Sequence, residues 1–134
     1  MITLDILGKP IPFKSPRVYE HRAFNPLYRE KEQVQYDISQ QYSHPPTTCP
    51  VTVHITFYFN MPKSFSKKKQ IECLEELLFP VSKFDLDNLC KFYLDCLKGI
   101  VIEDDGLVVN LNAKKRYSSY DHTTIKIEKA YGNS

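Results

Sequence analysis

The chain has 134 residues, 42% of them hydrophobic, 25% charged and 13% aromatic, which is the make-up of one ordinary globular domain. A domain of this length buries roughly two-thirds of its unfolded surface, enough for a core without staples. No run of 18 apolar residues occurs, which excludes a membrane-spanning helix.

The N-terminal MITLDILGKPIP has an acid inside its only apolar stretch and no basic region before it. It does not read as a secretion signal, and a cytoplasmic location is expected. The four cysteines, at 49, 73, 90 and 96, lack the paired spacing of a zinc site, as do His21, His44, His54 and His122. Reduced, mostly buried thiols are expected. The net charge of +2 hides an asymmetry: residues 1–70 carry ten Lys/Arg against five Asp/Glu, and residues 71–134 carry eight against eleven. Six of those acids fall within 85–105. A basic front half and one dense acidic spot suit a protein that holds a polyanion and places a cation beside it.

In chain order, Ile2, Leu4 and Ile6 alternate with polar residues and predict a half-buried strand. From Gly8 to about Tyr28, prolines at 10, 12, 16 and 26 resist both helix and central strand. An irregular arm is expected there, with Lys9, Lys14, Arg17, Arg22 and Arg29 interleaved with Tyr19 and Tyr28. Such basic and aromatic groups suit phosphates and bases, and a solvated surface loop explains them equally well. Residues 29–43 read as a helix that must stop before Pro45-Pro46. Residues 51–59 are the clearest strand, with Val51, Val53, Ile55, Phe57 and Phe59 on one face and a structural His54 on the other.

Residues 66–78 read as a short helix capped by Ser66, with Lys67, Lys68 and Lys69 at the end that disfavours cations. Residues 87–98 form a strong helix whose stripe is Leu86, Leu89, Cys90, Tyr93, Leu94 and Leu97, with Gly99 as its stop. Strands at 107–117 and 122–130 follow, joined by Ser118-Ser119-Tyr120-Asp121. The order predicts a single α+β domain over 1–134, with helices on one face of a mixed, largely antiparallel sheet.

The chemistry concentrates in 84–105. Asp85 and Asp87 stand two apart where a helix begins, and an extended approach would aim both carboxylates the same way. Asp87 could equally be a simple N-cap. Lys91 lies four residues on, where an Asp–Lys pair stabilises a helix by about 0.2–0.5 kcal/mol. Asp104-Asp105-Gly106 reads as a turn. Each piece is ordinary; together they put four carboxylates and a lysine at element ends that can converge. Carboxylates are hard ligands for Mg²⁺ or Mn²⁺, such an ion can activate water against a phosphodiester, and a lysine beside it can stabilise developing negative charge.

The run Asp85-Leu86-Asp87-Asn88-Leu89-Cys90-Lys91, then Asp95, Gly99 and Asp104-Asp105, resembles the RusA family of Holliday junction endonucleases. The opening G-K-P-I-P-F-K-S-P-R and the S-K-K-K segment are similar to phage-type members. The resemblance implies a homodimeric, Mg²⁺-dependent nuclease that resolves four-way DNA junctions by paired symmetric cuts. By position it implies Asp85, Asp87 and Asp105 as metal-binding acids, Asp104 as their neighbour and Lys91 as the essential lysine. Phe84 stands where many relatives have proline, and Gly106-Leu107 replaces a small-residue–glutamine pair.

Two-fold symmetry of a junction suits a pair of identical sites. Lys14, Arg17, Lys67, Lys68, Lys69, Lys114, Lys115 and Arg116 are the expected phosphate contacts, which give affinity and salt dependence without reading sequence. The alternatives are a junction-binding protein without catalysis and a D-x-D glycosyl or nucleotidyl transferase. The latter is disfavoured by the chain's length and the lack of a glycine-rich phosphate loop.

Overall fold

A computed structural model of the protein describes residues 1–14 and 27–130, together with the backbone of 17–19 and 22–24. The elements are β1 (Ile2–Leu7), β2 (Arg17–Tyr19), β3 (Arg22–Phe24), α1 (Tyr28–Gln41), β4 (Val51–Asn60), α2 (Lys67–Leu74), α3 (Leu86–Leu97), β5 (Val108–Ser118) and β6 (His122–Lys129). Four strands form one mixed, open sheet in the order β1-β6-β4-β5. Strands β1 and β4 both pair antiparallel with β6, whereas β4 and β5 run parallel. Parallel neighbours need a long crossover, and here it carries α2 and α3.

Strands β5 and β6 are nearly consecutive yet do not pair, because β4 lies between them. Their link crosses the end of β4 and satisfies its last backbone donors. Asn60 N–H donates to Asp121 Oδ1 (2.7 Å) and Met61 N–H to the Ser118 carbonyl (3.0 Å).

The period-2 pattern of β4 is borne out: Val51, Val53, Ile55, Phe57 and Phe59 are all buried. They meet Leu4 and Ile6 of β1, Ile125 and Ile127 of β6, Val34 and Ile38 of α1, and Leu89, Phe92, Tyr93, Cys96 and Leu97 of α3. Each such side chain contributes about 1.5–3 kcal/mol by leaving water. The expected stripe of α3 is shifted: Phe92 and Cys96 are buried, while Leu86 and Leu94 are only partly so. The alternate residues of the sheet, Thr52, His54, Thr56 and Tyr58, are partly exposed on the outer face.

Three expectations are corrected. The proline-rich arm contains a small hairpin, since β2 and β3 pair antiparallel through 17–19 and 22–24, where no proline falls. The helix expected over 66–78 ends at Leu74. Ser66 does cap it, its side chain accepting from Lys69 N–H at 3.2 Å. A Schellman closure ends it, with Leu77 N–H on the Glu72 carbonyl (2.8 Å), Glu76 N–H on that of Cys73 (3.2 Å) and Glu76 at φ 59°. Third, Asp85 and Asp87 do not share one extended segment: α3 starts at Leu86, so Asp87 is already helical while Asp85 is extended. The cysteines are free, with Cys73, Cys90 and Cys96 buried and Cys49 exposed. Among the described residues no helix is long and apolar enough to cross a membrane.

Candidate functional site

A groove of about 590 Å³ runs between α3 and the inner face of edge strand β5. Its apolar floor is Leu86, Cys90, Leu94, Val108, Leu111 and Ala113, and Asp87, Lys91, Asp95 and Asp105 line it as well. Helical spacing puts Asp87, Lys91 and Asp95 on one face of α3, one turn apart. Asp105 arrives from the opposite wall by a return that tertiary contacts hold. Gly99 turns the chain at φ 82° and its N–H donates to the Ile102 carbonyl (2.7 Å). Val101 and Ile102 are fully buried. Thr47 clamps the same segment, its N–H on the Val101 carbonyl (2.8 Å) and its carbonyl accepting from Glu103 N–H (3.0 Å).

The expected Asp87–Lys91 ion pair does not form. Instead the Lys91 ammonium sits over the Phe13 ring, 4.1 Å from its centroid, a cation–π contact. Phe13 is held there by its own N–H on the Asn88 carbonyl (2.8 Å), and Ile11 N–H donates to the Tyr93 hydroxyl (3.2 Å). The segment before the hairpin is thus strapped along α3. Asp95 pairs with Lys31 at 2.9 Å. Asp87 accepts its neighbour Asn88's N–H at 2.9 Å, satisfying one orphan donor of the first helical turn. Among the described residues neither Asp87 nor Asp105 has an ion-pair partner. Burial, with a smaller contribution from Asp87, pushes the Cys90 thiol up; burial likewise raises Cys96 to about 12. Both stay protonated at neutral pH.

The remaining sequence candidates fall elsewhere. Asp85 precedes α3 without making a cap bond and does not line the groove. Asp104 begins a 3₁₀ turn over Asp105–Leu107, accepting Gly106 N–H at 3.3 Å, and lies 3.9 Å from the Lys98 ammonium. A side chain at 106 would meet Asp104 Oδ2 at 3.2 Å, so glycine there lets Asp104 close the turn. Among the described residues no three of His, Cys, Asp and Glu gather closely enough to cage a metal ion. The donor chemistry nevertheless fits Mg²⁺, which retains waters and takes few protein carboxylates.

Of the expected phosphate contacts, Lys14 is exposed, and the side chain of Arg17 lies outside the described residues. Lys67, Lys68 and Lys69 begin α2, with the Lys69 ammonium 5.3 Å from the Phe65 ring centroid. Lys114, Lys115 and Arg116 border one shallow hollow with Phe79, Pro80 and Val81, but two of the three are already engaged. Lys115 reaches the Lys83 carbonyl at 3.4 Å. Arg116 bonds Glu76 at 3.1 Å and stacks over Phe79. Lys114 is exposed and has no ion-pair partner among the described residues. Sequence reasoning overlooked Phe13 and the apolar floor. Phe13 is an aromatic between prolines and Lys14, a signal that was present but had no partner until α3 was placed against it.

The open α+β sheet thus carries a groove lined by carboxylates and a lysine. The family model described as endodeoxyribonuclease RusA matches residues 8–128. The chain belongs to the RusA endodeoxyribonuclease family. It is also 35% identical over 99 residues, 72% of this chain and 70% of the other, to the uncharacterized protein YqaN of Bacillus subtilis strain 168.

Proposed function

We propose that this protein is a Mg²⁺-dependent endodeoxyribonuclease that resolves four-way DNA junctions by paired symmetric cuts, acting in DNA recombination and repair. Family membership supports the nuclease class. The observation that carries the assignment to this groove is the meeting of Asp87, Asp105 and Lys91 on its walls, with both carboxylates unpaired among the described residues. Asp87 and Asp105 are the acids that would hold the ion. Asp85, one residue before α3, and Asp104, beside Asp105, are the further acids that the family pattern adds to them. When bound, a divalent ion supplies charge neutralisation and an acidified water. Lys91 offsets the negative charge that builds on the phosphate as the water oxygen bonds phosphorus and one P–O ester bond breaks. Phe13 keeps the Lys91 ammonium from collapsing onto Asp87.

A homodimer places two such grooves for opposite strands. The exposure of Val109 (55%) on edge strand β5, outside the groove lining, supports it, since a bare apolar edge invites pairing. A second reading, a junction-binding protein without catalysis, draws on Phe84 and Gly106-Leu107, which depart from the family pattern beside the acids. Cleavage of a labelled four-way junction and a linear duplex, with and without Mg²⁺, separates the two. Wild type is expected to make paired nicks on the junction only, and Asp87→Asn to bind without nicking. Tight junction binding by wild type with no nicks in Mg²⁺ or Mn²⁺ would leave only the binding reading.

A further inference from the structure

The outer face of the sheet offers a second surface, back to back with the groove across β5. Leu111 and Ala113 line the groove, while their neighbours Asn112 and Lys114 line a separate hollow of about 320 Å³ on the other side. The register builds that hollow. Asn112, His54 and Lys126 form one cross-strand row, and Lys114, Thr56 and Thr124 form the next. The two lysines thus stand at opposite corners of a polar floor.

Their charges are uncommitted. His54 is bonded to Glu128 at 3.2 Å, Thr124 donates to Asp5 at 2.9 Å, and Arg116 is held by Glu76 at 3.1 Å. Among the described residues the acids of this face, Asp5 and Glu128, accept from Thr124 and His54 and form no ion pair with either lysine. Lys114 and Lys126 are exposed and have no ion-pair partner among the described residues. Beyond them, in the next row, Tyr58 stacks on His122 (centroids 4.3 Å) and His122 on Tyr120 (4.1 Å). Tyr120 is 51% exposed.

Free ammonium groups beside amide and hydroxyl donors suit phosphate oxygens, and an exposed aromatic suits an unstacked base. We propose that this outer face is a second DNA-binding surface, which takes an arm of the branched substrate while the groove holds another. The backbone of that arm lies on Lys114 and Lys126, and Tyr120 receives a base unstacked at the branch. The proposal rests on the junction-nuclease reading and adds to it a surface that none of the groove residues form.

The test is junction binding in metal-free buffer across a range of salt concentrations. Each lost phosphate contact lowers the slope of log affinity against log salt by about 0.9. Lys114→Ala/Lys126→Ala is therefore expected to lose nearly two units of slope. Lys63→Ala/Lys129→Ala, the same charge change elsewhere, should lose much less. Tyr120→Ala should weaken binding about fivefold or more at every salt concentration, with its slope unchanged. Equal slopes for wild type and the Lys114/Lys126 variant overturn the proposal and leave the junction reading standing. Failure of the wild type to bind any junction overturns both. A change of sedimentation coefficient instead of slope would make the face a protein contact, and also overturns it.

Discussion

Lys91 shows how one side chain's setting is decided by a segment far away in sequence. At i+4 from Asp87 it had an acid within reach, yet its ammonium rests on Phe13 at 4.1 Å. A cation on a ring keeps its charge available to an incoming phosphate, whereas an Asp–Lys pair would cancel both partners. A partly desolvated cation–π contact is worth about 0.5–2 kcal/mol. Phe13→Ala is thus expected to lower kcat for junction cleavage between about 2- and 30-fold with KM nearly unchanged, and Phe13→Tyr to restore it. Equal losses in kcat and in junction affinity would instead make Phe13 a DNA contact. The same residue scale explains Gly106: with a methyl there, Asp104 could not close its turn on the Gly106 N–H without shifting.

Among the elements, the return from α3 to β5 decides whether a site exists at all. Asp87 and Lys91 come with the helix, but Asp105 reaches the groove only because Gly99 reverses the chain and Thr47 clamps Val101 and Glu103. Gly99 has φ 82° with no atom near an added Cβ, so the penalty for a side chain is backbone strain, about 1–2 kcal/mol. Gly99→Ala should lower Tm by about 4 °C for each kcal/mol, measured by thermal unfolding followed by circular dichroism. An unchanged Tm would mean the turn relaxes without strain. At the end of α2, Glu76 takes a similar left-handed position at φ 59°. There an ion pair to Arg116 at 3.1 Å accompanies the residue that glycine would ordinarily replace.

On the scale of the whole molecule, β5 is where the arrangement is open. It is an edge strand with Val109 and Leu111 exposed, and its two faces border both the acidic groove and the outer hollow. A second copy covering that edge would remove apolar area from water at about 25 cal/mol per Å². Wild type is expected to sediment at twice the 15.7 kDa chain mass, and Val109→Asp, outside the groove lining, to sediment as a monomer with its circular dichroism retained. A monomeric wild type at micromolar concentration would rule out this interface and leave paired cutting without a symmetric carrier.

Local patterns settled much of this beforehand, because each needed only neighbouring residues. The five-fold alternation of β4, the cap at Ser66 and the stop at Gly99 are read from spacing and residue type, and all three occur in the fold. The family, too, was readable from the acidic run and its spacing, since the same run is part of residues 8–128 that match the family model. What spacing could not supply was the insertion of β4 between β5 and β6, which depends on which strand edges find partners rather than on chain order. Nor could it supply the partners that engage Lys115 and Arg116, the Lys83 carbonyl and Glu76. Asp85 and Asp87 part company because α3 begins at Leu86, which leaves Asp85 extended and Asp87 helical. Short-range stereochemistry chooses the elements and their signatures, while long-range packing chooses which of the charged residues end up facing one another.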